Sequence, residues 1–514
     1  MAATASRRLP TPASVNAAIK QIADVMRRAN YAGALQYVPE LSWILFLRIL
    51  DEREELEAEE AAALGVAFAP SLVAPFRWRD WAAPGGATRI ELTDAAMGGY
   101  LAFVNGELLP HLRGLRDAPG ASARRRVISQ VVSAIDKVGV DTEKNLLDIL
   151  DRVDEIRLEA VDLTHVFTLS QAYEGLLLKM GEKNNDGGQF FTPREVIRAM
   201  VRTVDPRAGE TVYDPGCGTG GFLAQAFEHM RDGLGDAATA ETLRALREDA
   251  FWGREKADLI YPIALANLVL HGIDQPHIWH GNTLTQQEVY GGLFAGAPAQ
   301  FDVVLMNPPF GGKEGKEAQT QFAYKTRATQ VLFLQHVIDS LVDGGRCGMV
   351  IDEGVLFRTT ETAFVQTKRK LLDETDLWCI VSLPPGVFSS AGAGVKTNLL
   401  FFTKGGPTER TWYYDLSDVK VTKKQPLTIE RFEELFTLLP DRADSDHSWT
   451  VTRDVMEANG FDLKAVNPTA KADADTRTPL ELLDEIEARG REVDAAVGRL
   501  RALLEGGAEP TAIG

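Results

Sequence analysis

Residues 301–315, FDVVLMNPPFGGKEG, run an apolar stretch straight into Asn307, Pro308, Pro309 and Phe310. Proline lacks an amide hydrogen, so Pro308 and Pro309 cannot extend a sheet ladder and instead stiffen the turn that ends the strand. That stiffness fixes where the Asn307 carboxamide and the neighbouring carbonyls point, and Phe310 sets an aromatic ring beside them. The group is suited to gripping a planar, polar moiety. Its bland counterpart is a turn-forming Asn before Pro, with no chemistry.

A second constellation lies upstream. TVYDPGCGTGGFL, residues 211–223, reads as a strand, a glycine-rich turn and a helix. Gly216, Gly218 and Gly221 match the spacing G-x-G-x-x-G; glycine lets a ligand approach the backbone while amides at the helix start face it. Asp214 precedes the first glycine, where an acid is badly placed for a pyrophosphate and well placed for a cationic amine. Glu255 ends the next predicted strand, in FWGREKAD, where an acidic residue commonly accepts from ribose hydroxyls. Asn282, in HGNTL at the end of the third, can read the edge of an adenine. Cys217, Cys347 and Cys379 are widely separated, form no metal-ligand pattern and fit a reducing compartment.

These residues need a frame. From about 166 to 405, β-rich runs alternate with helical stretches: ETVYDPGCG, AFWGREK, HIWHGNTL, FDVVLMNPPF, GRCGMVIDEGVL, DLWCIVSLPPG and TNLLFFTKG. Such alternation predicts a doubly wound α/β sheet. The last two runs are joined by a Gly-rich loop with no long helix, which predicts an antiparallel strand at one edge. Residues 1–165 read as helices, with Leu41, Ile44, Leu45, Leu47 and Leu50 on one broad face and a helical pair in ASARRRVISQVVSAIDKVGVDTEKNLLDILDRVDEI. A mixed extension, 406–475, precedes a helical tail, 476–514, in which Leu483, Ile486, Val493, Val497, Leu500 and Leu504 recur at three/four spacing. Gly490 interrupts that seam, against a long autonomous coiled coil.

The 514 residues suffice for two or three domains and at least one large core. Against 73 acidic residues stand 55 basic ones, a net charge of −18. That balance argues against tight nucleic-acid binding by the chain alone, because phosphate contacts dominate such affinity. With no apolar h-region near the start and no stretch long enough to span a bilayer, the expected location is cytoplasmic, away from membranes.

Taken together, DPGCGTGGF followed by NPPF resembles an S-adenosylmethionine-dependent amino-methyltransferase. GGQFFTPREV upstream of the glycine turn is similar to the gamma class of DNA adenine-N6 methyltransferases. The helical start with LSWILFLRILDERE, GREKADLIYPIALANLVLHGI and the helical tail make nearly the whole chain resemble the modification subunit of a type I restriction–modification system.

The resemblance implies a Rossmann-like methyltransferase domain and S-adenosylmethionine as cofactor. Asp214 would engage its amino group, with Gly216, Gly218, Thr219, Gly220 and Gly221 lining that pocket. Gln189, Phe190, Phe191, Thr192, Pro193 and Arg194 would close over its carboxylate end, and Glu255 would hold the ribose. Asn282 stands where many relatives carry Asp; an amide can both accept and donate at that edge. Catalysis would fall to Asn307, Pro308, Pro309 and Phe310. The Asn307 oxygen and Pro308 carbonyl would each accept one N6 hydrogen of adenine, and Phe310 would stack on a base rotated out of duplex DNA, with Phe388 as candidate for its other face. No metal is implied.

Implied partners are double-stranded DNA and a DNA-specificity subunit carrying two copies of this chain, with or without a restriction/translocase subunit; the apolar face of the tail is the candidate dock, the alternative being that it packs on its own domain. The polar loop over residues 311–328 is long enough to be a segment that orders only when DNA arrives. The competing readings are methylation of RNA or of a protein glutamine, a nucleotide-binding oxidoreductase using Gly216, Gly218 and Gly221, and a non-catalytic scaffold. The long interval from Gly221 to Glu255, with Asp214 ahead of the glycines, speaks against the oxidoreductase.

Overall fold

A computed structural model describes residues 12–29, 31, 34–95, 98–156, 192–388, 396–422, 425–464, 466–468 and 479–505. All seven predicted β runs form strands: β1 (Val212–Asp214), β2 (Phe251–Glu255), β3 (His277–Asn282), β5 (Phe301–Met306), β6 (Leu341–Asp352), β7 (Thr375–Ser382) and β8 (Thr397–Lys404). Three more join them: β4 (Gln287–Tyr290), β9 (Arg410–Asp415) and β10 (Ser448–Thr452). They build one ten-stranded sheet in the order β10-β9-β7-β8-β6-β5-β1-β2-β3-β4.

The centre of the sheet is parallel. β1 pairs with β2 on one side and β5 on the other, with Val212 opposite Phe251 and Val303 and Tyr213 opposite Val304. Side chains alternate as the pleat requires: Val303 and Leu305 join one buried cluster, Val304 and Met306 the other. The chain winds outward from β1 through β2 and β3, then returns to the opposite side of β1 as β5. Strand order therefore reverses at β1, and a crevice opens beyond the carboxyl ends of β1 and β5.

The antiparallel strand expected at an edge is β8, and it lies inside the sheet between β6 and β7. It is not an edge because β7 pairs along its far side, and beyond β7 the sheet continues with β9 parallel to β7 and β10 antiparallel to β9. Both outer strands come from the region separated at residue 406 in the sequence reading. That boundary is not a structural one, since residues 1–467 form a single compact unit.

The helices Pro12–Arg28, Ala34–Ala63, Ala123–Val131 and Glu143–Asp154 occupy the N-terminal region, the last two being the predicted pair. Leu41, Ile44, Leu45, Leu47 and Leu50 are buried, and so are Trp43 and Phe46 between them, so residues 40–50 of the second helix are enclosed on all sides. Its second half is polar and anchors elsewhere: Arg53 Nη1 donates to the Val269 carbonyl at 3.2 Å, and Arg124 bonds Glu57 at 2.7 Å. Val269 belongs to the helix Tyr261–Leu270 that follows β2, so the N-terminal helices pack directly on the sheet domain. The expected break near residue 165 lies outside the described residues.

Residues 468–514 form a second unit. Its helix, Pro479–Glu505, runs on through Gly490 without a break and exposes Leu483, Ile486, Val493 and Val497. The side chains of Leu500 and Leu504 lie outside the described residues. No helix among the described residues is long and apolar enough to cross a membrane.

Candidate active site

The crevice at the strand ends holds a cavity of about 540 Å³ whose wall includes Thr192, Asp214, Gly216, Gly218, Thr219, Gly221, Glu255, Asn282, Asn307 and Pro309. Residues 115 positions apart are thus brought together, as the sequence reading requires. Gln189, Phe190 and Phe191 lie outside the described residues.

Asp214 ends β1 and is 2 % exposed; its Oδ1 accepts from the Gly216 amide at 3.1 Å. Glu255 ends β2, 7 % exposed, and grips the same turn by accepting from the amides of Gly218 at 2.9 Å and Ala257 at 2.7 Å. Burial pushes both carboxyls up, Asp214 to about 8 and Glu255 to about 7, and the Glu255 charge raises Asp214 further. Two acids held in a dry pocket at the expense of their ionised forms favour a ligand that brings positive charge.

The glycines are required where the backbone turns left-handed. Gly218 has φ +53° and Gly220 φ +81°. At Gly220, which caps the helix Gly221–Leu234, a Cβ would also lie 3.0 Å from the Leu268 side chain. Two residues that sequence reasoning missed hold the turn from behind: Asn267 Nδ2 donates to the Thr219 carbonyl at 2.8 Å, and Thr283 Oγ1 to the Pro215 carbonyl at 2.7 Å. Asn267 did leave a signal, as the lone amide inside the apolar run YPIALANLVL and fully buried. Asn282 lines the cavity and also shapes its own turn. Its Oδ1 accepts from Leu284 N at 3.0 Å, an Asx turn that leaves the NH2 as the end available to a ligand.

Asn307 follows the last residue of β5. Its Nδ2 donates to Thr192 Oγ1 at 2.9 Å, while Oδ1 is buried with no hydrogen-bond partner among the described residues. An orphaned buried acceptor is unfavourable by about 1–3 kcal/mol unless a ligand satisfies it. Pro308 is buried and Pro309 lines the cavity. Pro193 and Arg194 sit at the start of the helix Arg194–Val204, directly after Thr192. Phe310 is half-buried and meets Phe388 edge-on, ring centroids 5.2 Å apart at 69°. Phe388 itself is buried in the core at 1 % exposure, so it supports Phe310 from behind and presents no open ring face.

The loop 311–328 is tied back to the fold by hydrogen bonds. Glu314 N donates to the Arg327 carbonyl at 2.8 Å, Thr329 Oγ1 to Glu314 Oε1 at 2.9 Å, and buried Gln335 exchanges two hydrogen bonds with the backbone of Tyr324. The anchors come from the helix Thr329–Ser340, which sequence composition of the loop alone does not reveal.

The chain matches the N-6 DNA Methylase family over residues 165–476 and the HsdM N-terminal domain over residues 15–148. It is 34 % identical to the type I restriction enzyme EcoEI methylase subunit of Escherichia coli, over 96 % of this chain and 98 % of that one. A modification subunit of a type I restriction enzyme from Vibrio vulnificus YJ016 is similar in structure, with a TM-score of 0.77 at 32 % identity, covering 91 % of this chain and 99 % of that one. A chain of a type I R-M system, solved for its complex assembly and conformational transition, gives a TM-score of 0.72 at 37 % identity over 97 % of this chain and 100 % of its own length.

Proposed function

Because the chain belongs to the methylase subunits of type I restriction–modification systems, adenine-specific DNA methyltransferases acting on N6, we propose that the cavity beyond β1 and β5 is where its methyl transfer takes place. The observation that carries this assignment is Asn307, whose Oδ1 has no hydrogen-bond partner among the described residues, in the wall of the same cavity as two buried acids whose protonation a cation would reverse.

The residues present fit S-adenosylmethionine. Its cationic amine would meet Asp214, its ribose hydroxyls would donate to Glu255, and the NH2 of Asn282 would donate to a ring nitrogen of its adenine. Bound there, S-adenosylmethionine supplies an electrophilic sulfonium methyl. The chain's own residues do the rest by placement. Adenine N6 is a poor nucleophile because its lone pair is delocalised into the ring. Asn307 Oδ1 and the Pro308 carbonyl each accept one N6 hydrogen, and the nitrogen moves toward tetrahedral geometry with its lone pair directed at the methyl. With S-adenosylmethionine held there, the new N–C bond would form as the S–C bond broke, and the surplus N6 proton would leave to water. Phe310 stacks on the extruded base from one face, and Phe388 fixes the pitch of the Phe310 ring.

A chain of charge −18 obtains its DNA affinity from a partner. We assign that role to a DNA-specificity subunit, carrying two copies of this chain, with the exposed apolar residues of the helix Pro479–Glu505 as the dock. The test is methylation of unmodified plasmid DNA by the purified chain with and without its specificity subunit, followed by mapping of modified bases. Transfer to adenine N6 only in the complex is expected; transfer to RNA or protein instead would overturn the assignment.

A further inference from the structure

The adenine of S-adenosylmethionine carries an exocyclic amine, yet the residue expected to read its edge has no acceptor left for that amine. A carboxamide oxygen has two lone pairs, and Asn282 Oδ1 accepts from two backbone amides, Leu284 N at 3.0 Å and Thr285 N at 3.4 Å. Backbone N–H groups only donate, so this amide has one orientation, and the NH2 that remains for a ligand suits a ring nitrogen and not an N–H. We propose that Glu314, on the loop after Phe310, is the acceptor that reads the cofactor's adenine amine. The proposal rests on the reading of the cavity as the S-adenosylmethionine site.

Glu314 lines the same cavity as Asn282, and the folding of its loop explains how it comes there. Lys313 bridges antiparallel to Ala328, and Thr329 N donates to the Gly312 carbonyl at 3.2 Å, which closes the base of the loop. Beyond Glu314 the chain makes the short helix Lys316–Gln319, where Gln287 Nε2 donates to Glu317 Oε1 at 3.0 Å. Gln287 opens β4 and lies opposite Asn282 in the β3–β4 pair. Ala318 is fully buried in the same apolar cluster as Leu284, two residues after Asn282. The loop thus leads from the end of β5 to the end of β3, with β1 and β2 between those strands in the sheet. An ionised carboxylate only accepts, so Thr329 Oγ1 donates to Glu314 Oε1, at 2.9 Å; Oε2 has no hydrogen bond or ion pair among the described residues. Three other acids line the cavity. Asp214 and Glu255 hold the glycine turn, and the side chain of Asp258 is 82 % exposed and paired with His280 Nε2 at 3.1 Å.

The test is calorimetric titration of the full chain with S-adenosylhomocysteine and with its counterpart in which purine, lacking the 6-amino group, replaces adenine. The parent should bind the adenine compound on the order of tenfold to a hundredfold more tightly, as a hydrogen bond to a charged group allows. Glu314→Ala should bring that ratio down to about twofold or less. Glu314→Gln, which keeps an oxygen for Thr329 and loses the charge, should also lower it while leaving the loop tied. A role confined to tying down the loop would weaken both ligands alike. A parental ratio in the two Glu314 variants, or a collapse of the ratio in Asp258→Asn instead, would therefore overturn the role of Glu314. Equal binding of the two ligands by the parent would overturn it as well, because no residue would then read the amine. A parent that binds neither ligand would overturn the underlying reading of the cavity.

Discussion

The buried pair Asp214 and Glu255 makes cofactor binding a proton-coupled event whose size can be worked out. With carboxyls raised to about 8 and about 7, Asp214 at pH 7 is about nine-tenths protonated and Glu255 about half. A cationic amine against Asp214 and ribose hydroxyls against Glu255 both favour the ionised acids. Binding at pH 7 should therefore release protons, on the order of one once the small uptake by the ligand's partly deprotonated amine is counted. The sign follows from the direction of the shifts: the empty cavity holds protons that the filled one sheds, so affinity rises with pH through the window from about 6 to 8. Above about 8 the ligand's own amine loses its proton, at the usual α-amino value of 7.7–8.0, and the gain reverses. The same shifts act on folding. Both acids lie above their unfolded values, so the unliganded fold binds more protons than the unfolded chain and loses stability as pH rises from about 4 to 8. Ligand offsets that loss, and its thermal stabilisation should grow across the same window. Calorimetry of S-adenosylmethionine binding in two buffers of different ionisation enthalpy reads the proton number directly, and Asp214→Asn should remove the larger share of it. Identical heats in both buffers at pH 7, for a cofactor that does bind, would refute the electrostatic argument.

Three further outcomes are expected. Asn307→Ala should lower the transfer rate by on the order of a hundredfold to a thousandfold, as loss of one oriented transition-state partner does, while calorimetric affinity for S-adenosylmethionine stays nearly constant. Gly220→Ala places a side chain at φ +81° and against Leu268, so denaturant unfolding should show a loss of about 1–3 kcal/mol together with weaker cofactor binding. Truncation after about residue 475 removes the helix Pro479–Glu505; cofactor binding should persist and co-elution with the specificity subunit should be lost, and a truncated chain that still assembles would clear the tail of that role.

What the sequence revealed and what it hid divide along physical lines. Strands with two buried faces, such as β5 and β6, announce themselves as apolar runs, and all seven such runs became strands. β4, QEVY, is largely exposed and carries no such signature. β9 pairs with β7 and β10 with β9, so the extension of the sheet could not be read from the loop between β7 and β8, and the interior place of β8 follows from its long-range pairing with β6. The site residues that glycine spacing and strand ends marked do line one cavity. Hidden were the bonds made across long separations: Thr192 to Asn307, Asn267 to Thr219, Gln335 to Tyr324. Phe388 was legible as an aromatic near Phe310 but not as a buried one, because burial depends on what packs over it.

The parallel register of β1 and β5 also acts as a ruler. Tyr213 lies opposite Val304, so Asp214 stands one residue beyond that pair and Asn307 three, a stagger of two residues or about 6–7 Å at 3.3 Å per residue. The offset along the strands between the acid that anchors one reactant and the amide that anchors the other is thus set by the backbone ladder and the single step from Met306 into Asn307. One residue inserted into β5 would lengthen it by about 3.3 Å and turn Asn307 to the opposite face of the sheet. A chain altered in that way could keep every motif letter and still hold its two reactants out of reach of each other.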